Sequence, residues 1–152
     1  VSSGSFVKAI GRIDPKISVF TKACPLFVNI VEEGYFSKGD PLPALVTERY
    51  LEPLKAAEID TLILGCTHFP MLSEVISDYM GEGVTLVNAG EETAKTAKAA
   101  LEADGLLNEK EVPGKTEFFV SDRPEGFSRI AEVFLGKKIS GDVTAIDWSD
   151  VL

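Results

Sequence analysis

Cysteine is scarce in this chain: two residues, Cys24 and Cys66, among 152. So few exclude a disulfide-stapled scaffold at this length. There is no C-x-x-C pair and only one histidine, His68. With no Cys/His cluster of zinc spacing, no metal is expected. Basic residues are also few, fifteen Lys and Arg against twenty-four Asp and Glu, for a net charge of −9. Nucleic-acid binding needs a concentration of Lys and Arg that is missing here. A basic membrane-surface patch is excluded on the same ground. No apolar run approaches the about 20 residues of a membrane span, and no signal peptide is visible. A small anionic substrate stays open, because local donors rather than net charge hold such a ligand.

Apolar residues make up 45% of the chain, enough to bury a core. Short apolar or β-branched runs alternate with longer amphipathic ones. Ile17 to Ala23 reads as a strand, and Pro25 then opens a helix that Gly34 stops. Ser37 to Pro43 reads as a connector. Leu45 to Ala57 shows Val46, Tyr50, Leu51 and Leu54 at helical spacing, with Pro53 as an irregularity. Thr61 to Leu64 has the wholly apolar character of a strand covered on both faces. Pro70 opens a helix that Gly81 and Gly83 end. Val84 to Val87 is a strand and Glu91 to Ala103 a helix. After a loop with Gly105, Pro113 and Gly114 come a strand at Glu117 to Val120, a helix at Pro124 to Phe134 and a last strand at Val143 to Ile146. Strands alternating with helices predict an α/β fold with a parallel sheet and right-handed crossovers. The Gly90-Glu91-Glu92-Thr93 and Ser121-Asp122-Arg123 segments each follow a strand and read as helix caps rather than anion sites.

Cys66, Thr67 and His68 follow the strand at Thr61 to Leu64 and precede the helix at Pro70. In open parallel sheets ligands bind outside the carboxyl ends of the strands, which is where these residues stand. Gly65 allows a sharp turn and a close approach by a ligand. The helix N-terminus favours a nearby thiolate or carboxylate. A free thiol with a pKa near about 8.5 and an imidazole near about 6.5 suit proton transfer at working pH. Thr67 adds a hydroxyl and a backbone N–H for a carboxylate. On these residues alone a core cysteine, a hydrolase nucleophile and a redox thiol remain alternatives.

The words around these residues narrow the choice. Leu-Gly-Cys-Thr-His-Phe-Pro at Leu64 to Pro70 closely resembles the second-cysteine motif of glutamate racemases. Ala-Cys-Pro-Leu-Phe-Val-Asn-Ile-Val-Glu-Glu-Gly at Ala23 to Gly34 is a second match in the same order. Val-Asn-Ala-Gly-Glu-Glu-Thr at Val87 to Thr93 is a weaker third. The resemblance implies a racemase-like α/β fold of flavodoxin-like lobes. Residues 1–83 would belong to the lobe carrying the Cys-Thr-His turn, and residues 84–152 would return to the other lobe.

The resemblance also implies an isomerase without cofactor or metal. It would interconvert L- and D-glutamate in the cytoplasm and supply D-glutamate for peptidoglycan. Two thiols would act on opposite faces of the α-carbon. Cys66 would be one of them, with His68 assisting its proton transfer and binding substrate, and Thr67 would hold substrate carboxylate. A family carboxylate near the site corresponds to Glu32 or to the adjacent Glu33. Cys24 reads as a core residue. The family's other cysteine motif is absent, as is the initiator methionine. The chain is therefore expected to be the C-terminal part of such an enzyme, inactive alone, with the N-terminal half required for a complete site. A homodimer is one expectation for the whole enzyme. Two other readings stand beside this one: a racemase for aspartate or a related amino acid, and a non-catalytic α/β binding module.

Overall fold

In a computed structural model, the described residues are 1–108, 112, 114–121, 124–139 and 141–147. The chain forms two compact units, Val1–Ala100 and Leu101–Leu152. The first begins with α1 (Ser5–Ile13), α2 (Pro25–Glu32) and α3 (Pro41–Ala56). Strand β1 (Thr61–Leu64) leads through a 3-10 turn at Phe69–Leu72 into α4 (Ser73–Met80). Strand β2 (Thr85–Asn88) runs directly into α5 (Ala89–Ala103). The second unit holds β3 (Phe118–Val120), α6 (Pro124–Leu135) and β4 (Val143–Ala145).

The expected parallel pairing is present, as two separate pairs. Strand β1 lies beside β2 with Thr61 opposite Thr85 and Leu64 opposite Asn88. Strand β3 lies beside β4 with Phe118 opposite Val143 and Val120 opposite Ala145. Connections through α4 and α6 supply the length that a parallel crossover requires.

The main core is formed by α2, α3, α4 and the 3-10 turn. Phe27, Leu72 and Ile76 are almost fully buried, and each contributes about 1.5–3 kcal/mol by leaving water. Helix α3 buries Pro43, Thr47, Leu51 and Leu54. That stripe is rotated from the expected one, because Val46 and Tyr50 sit at its margin. The helix also starts earlier than expected. Asp40 caps it by accepting from Leu42 N at 2.9 Å, and Pro41 occupies the first turn, where its missing N–H costs nothing. It continues through Pro53, and Ala57 N still donates to the Pro53 carbonyl.

Two expectations fail for identifiable reasons. Ile17 to Ala23 is not a strand. It has no ladder partner among the described residues and borders a cavity of about 830 Å³ whose lining also includes β1. Strand β1 is not covered on both faces: Leu64 is buried, while Ile63 is exposed on an alternate position. Helix α1 covers residues for which no element is expected, with Phe6, Ile10 and Ile13 at helical spacing. None of its residues is buried, so its propensity is not reinforced by a covered stripe.

Capping by Asn88 fits the expected role of Gly90 to Thr93. Its Oδ1 accepts from Gly90 N at 3.0 Å and Glu91 N at 3.2 Å. The other expected cap includes Asp122 and Arg123, which lie outside the described residues. The same holds for Pro113 of the expected loop.

Thr47 Oγ1 is buried and finds no hydrogen-bond partner among the described residues. An unsatisfied buried hydroxyl is costly, and a methyl group of similar size is not. Thr47→Val is expected to raise stability by about 1 kcal/mol in denaturant unfolding. A lower midpoint would show that the hydroxyl is hydrogen-bonded after all.

Candidate active site

Strand β1 delivers the chain to Gly65 and then to the turn Cys66-Thr67-His68. Phe69 N donates to the Cys66 carbonyl at 3.2 Å, and Met71 N donates to the His68 carbonyl at 3.1 Å. These bonds close the turn into the 3-10 segment. The helix expected from Pro70 therefore begins one turn later as α4, and Ser73 Oγ steadies the junction by donating to the Pro70 carbonyl at 2.7 Å. Gly65 does not use left-handed backbone. Its small size is used instead by Phe6, since a Cβ there would stand 3.2 Å from the aromatic ring. The close approach inferred from sequence is thus made by a side chain of α1.

Helix α2 brings the acidic partner. Phe27 meets Phe69 edge to face, with ring centroids 5.3 Å apart, and meets Tyr50 in the same manner at 5.4 Å. The Tyr50 hydroxyl also accepts from Leu26 N at 3.2 Å. These contacts fix α2 against α3 and the turn. Glu32, in the last turn of α2, then reaches His68: Oε1 lies 3.0 Å from Nε2. Glu33 is the exposed C-cap residue, and its backbone N–H donates to Asn29. The structure thereby separates two carboxylates that adjacency in sequence left equivalent. The aromatic contacts behind this choice were missed in the sequence; Phe27 and Phe69 carry no signal there that they meet.

On its other side, His68 Nδ1 lies 3.9 Å from Cys66 Sγ and 3.3 Å from Thr67 Oγ1. The carboxylate of Glu32 accepts from Nε2–H, so the neutral ring carries its lone pair on Nδ1. Nδ1 has both the thiol and the Thr67 hydroxyl within reach. A proton can pass from Sγ to Nδ1, and the resulting imidazolium is held by Glu32. His68 is mostly enclosed, with 20% side-chain exposure, which strengthens these interactions relative to open water. Cys66 is only partly buried and therefore reachable.

Cys24 stands apart in character. It is buried at the N-cap of α2, where its thiol contacts the Lys22 carbonyl at 3.8 Å. Burial pushes its pKa from 9.0 up to about 11, against a smaller opposing pull from Lys22. The cavity beside β1 reaches Gly65 but is not lined by Cys66, Thr67 or His68. Phe6, Val7, Ile10, Phe20 and Ile63 make much of its wall apolar. Among the described residues no group of three or more His, Cys, Asp or Glu side chains is arranged to hold a metal ion. No helix among them is long and apolar enough to cross a membrane.

No protein-family model matches the chain. Individual proteins do. A glutamate racemase from Geobacter metallireducens is 44% identical over 143 residues, 94% of this chain and 52% of that protein. One from Syntrophus aciditrophicus is 37% identical over 141 residues, 93% of this chain and 52% of its own length. The crystal structure of glutamate racemase from Francisella tularensis, in complex with D-glutamate, superposes with a TM-score of 0.86 at 30% identity. It is matched over 98% of this chain and 54% of its own. The chain is a relative of the glutamate racemases. It spans about half the length of the curated relatives it matches. The mixed α/β architecture with parallel strands agrees with this kinship and with the expected fold class.

Within this glutamate racemase relative the two thiols should respond differently to alkylation, because the thiolate is the nucleophile. Iodoacetamide is expected to modify Cys66 near neutral pH and to leave Cys24 unmodified until the pH nears about 11. Stability follows the same group. A raised folded-state pKa means that burial of the neutral Cys24 thiol contributes fully below about pH 9.0 and is lost as the pH rises toward about 11. Mass spectrometry of the digested chain reads the labelling; equal rates at both cysteines near neutral pH would contradict the burial assignment.

Proposed function

We propose that this chain provides one of the two proton-transfer stations of a glutamate racemase. The Glu32–His68–Cys66 contact chain carries this reading, since it places an oriented imidazole beside a reachable thiol. The kinship with glutamate racemases over most of the chain supports glutamate as substrate.

In the forward direction the Cys66 thiolate takes the α-proton from one face of glutamate. The C–H bond breaks, an S–H bond forms, and the electron pair stays on the α-carbon. A second thiol on the opposite face then gives up its proton to that carbon, inverting it. In reverse, Cys66 is the donor. His68 Nδ1 receives the Cys66 proton when the thiolate is needed, while Glu32 holds the ring and balances its charge. Once Cys66 carries the α-proton, the imidazolium gives its proton to solvent and solvent reprotonates the opposing thiolate. Thr67 presents its hydroxyl to the substrate carboxylate. No cofactor or metal enters these steps. Cys24 is a poor second station: it is buried and its thiol resists ionisation. The opposing thiol belongs to the part of the racemase that these 152 residues do not span. Residues 1–83 are read as belonging to the lobe of Cys66, and residues 84–152 as returning toward the other lobe. The substrate, a water-soluble amino acid, fits action in the cytoplasm.

A fusion that places the first half of the Geobacter metallireducens relative ahead of Val1 is expected to abolish the optical rotation of L-glutamate. In deuterated water it should also incorporate deuterium at the α-carbon. Cys66→Ala should lower kcat by roughly a thousandfold or more. Glu32→Gln should lower it roughly 100-fold by weakening acid–base support, with Glu33→Gln close to the parent. Substantial turnover by Cys66→Ala would sink the assignment.

A further inference from the structure

Two side chains compete for one atom at the centre of the site. Thr67 Oγ1 is 3.3 Å from His68 Nδ1, and Cys66 Sγ is 3.9 Å from it. Nε2 is committed to Glu32, the carboxylate that faces the ring from α2. With its proton on Nε2, the ring offers a single in-plane lone pair at Nδ1, room for one good hydrogen bond. A hydroxyl is a stronger donor than a thiol, and Thr67 holds the shorter contact.

We propose that Thr67 is a positioning residue whose hydroxyl, by occupying Nδ1, holds His68 off the Cys66 thiol and so sets how readily that thiol ionises. The inference rests on the reading of Cys66 and His68 as a proton relay, and it adds a control to that relay. A carboxylate oxygen that accepts the Thr67 hydroxyl proton removes the competitor and releases Nδ1 to Cys66. Arrival of an amino-acid carboxylate thereby arms the base beside it. The competition persists after proton transfer, since an imidazolium Nδ1–H can donate to either the Thr67 oxygen or the thiolate. The charged pair is about twice as strong as its neutral counterpart. Loss of the hydroxyl therefore favours the thiolate–imidazolium state over the thiol–imidazole state.

Thr67 is exposed, so its truncation leaves no buried gap. The test follows Cys66 alkylation by iodoacetamide against pH in the 152-residue chain, with Cys24 replaced by Ala to leave one thiol. His68 is the only histidine, so its ring resonances identify themselves by NMR in the same samples. Thr67→Ala is expected to speed alkylation near neutral pH about three- to tenfold, as for loss of one competing hydrogen bond. The midpoint of the profile should move down, and the His68 titration should move up, since the thiolate stabilises the imidazolium. Thr67→Ser, which keeps the hydroxyl, should match the parent. His68→Asn should slow alkylation and cancel the effect of Thr67→Ala. If Thr67→Ala changes neither rate nor midpoint while His68→Asn still slows Cys66, the role of Thr67 is overturned and the relay stands. If His68→Asn leaves Cys66 unaffected, the relay and the proposal fall together.

Discussion

The packing of Phe27 is the contact on which the site depends. Its ring lies edge-on to both Tyr50 and Phe69, joining α2 to α3 and to the turn that follows β1. Such pairs add about 0.5–1.5 kcal/mol each beyond the area they bury. The larger consequence is geometric. Glu32 is fixed five residues along the same helix, and its carboxylate meets the His68 imidazole. An α2 that slid or rotated on α3 would carry the carboxylate away from the imidazole and leave its tautomer unspecified. Core packing and the Glu32–His68 contact are thus coupled through one buried aromatic side chain.

The same contact separates the roles of the two cysteines. Both lie beside elements that Phe27 organises: Cys24 stands at the N-cap position of the helix that carries it, and Cys66 precedes the Phe69 that it touches. One becomes a packing atom whose ionisation burial opposes, and the other stays partly open beside a base. The difference is one of environment, since the side chains are identical.

Regularity in the chain was easiest to foresee where local signals and tertiary partners agreed. The strand at Thr61, the helix after Pro25 and the alternation that defines an α/β fold all belong to this class. Ile17 to Ala23 shows the opposite case. Its composition suits a strand, but strand formation needs a partner edge, and none is supplied among the described residues. Helix α1 was obscured by Gly11 and by a start among small residues. The rotated stripe of α3 reflects which neighbours it meets, and hydrophobic spacing alone is tolerant of such a shift.

What the sequence determined by itself was the order and local setting of one turn. Gly65-Cys66-Thr67-His68 is contiguous, so its order and its place after a strand are local facts. The parallel α/β class was equally legible, because it follows from the alternation of short and long apolar patterns. Only the tertiary structure brings Glu32 rather than Glu33 to His68, with Nε2 toward the carboxylate and Nδ1 toward both the Cys66 thiol and the Thr67 hydroxyl. Glu32 and His68 are 36 residues apart in the chain. Their meeting is decided by how α2 packs, and a hydrogen bond is sensitive to ångström displacements that no local pattern encodes.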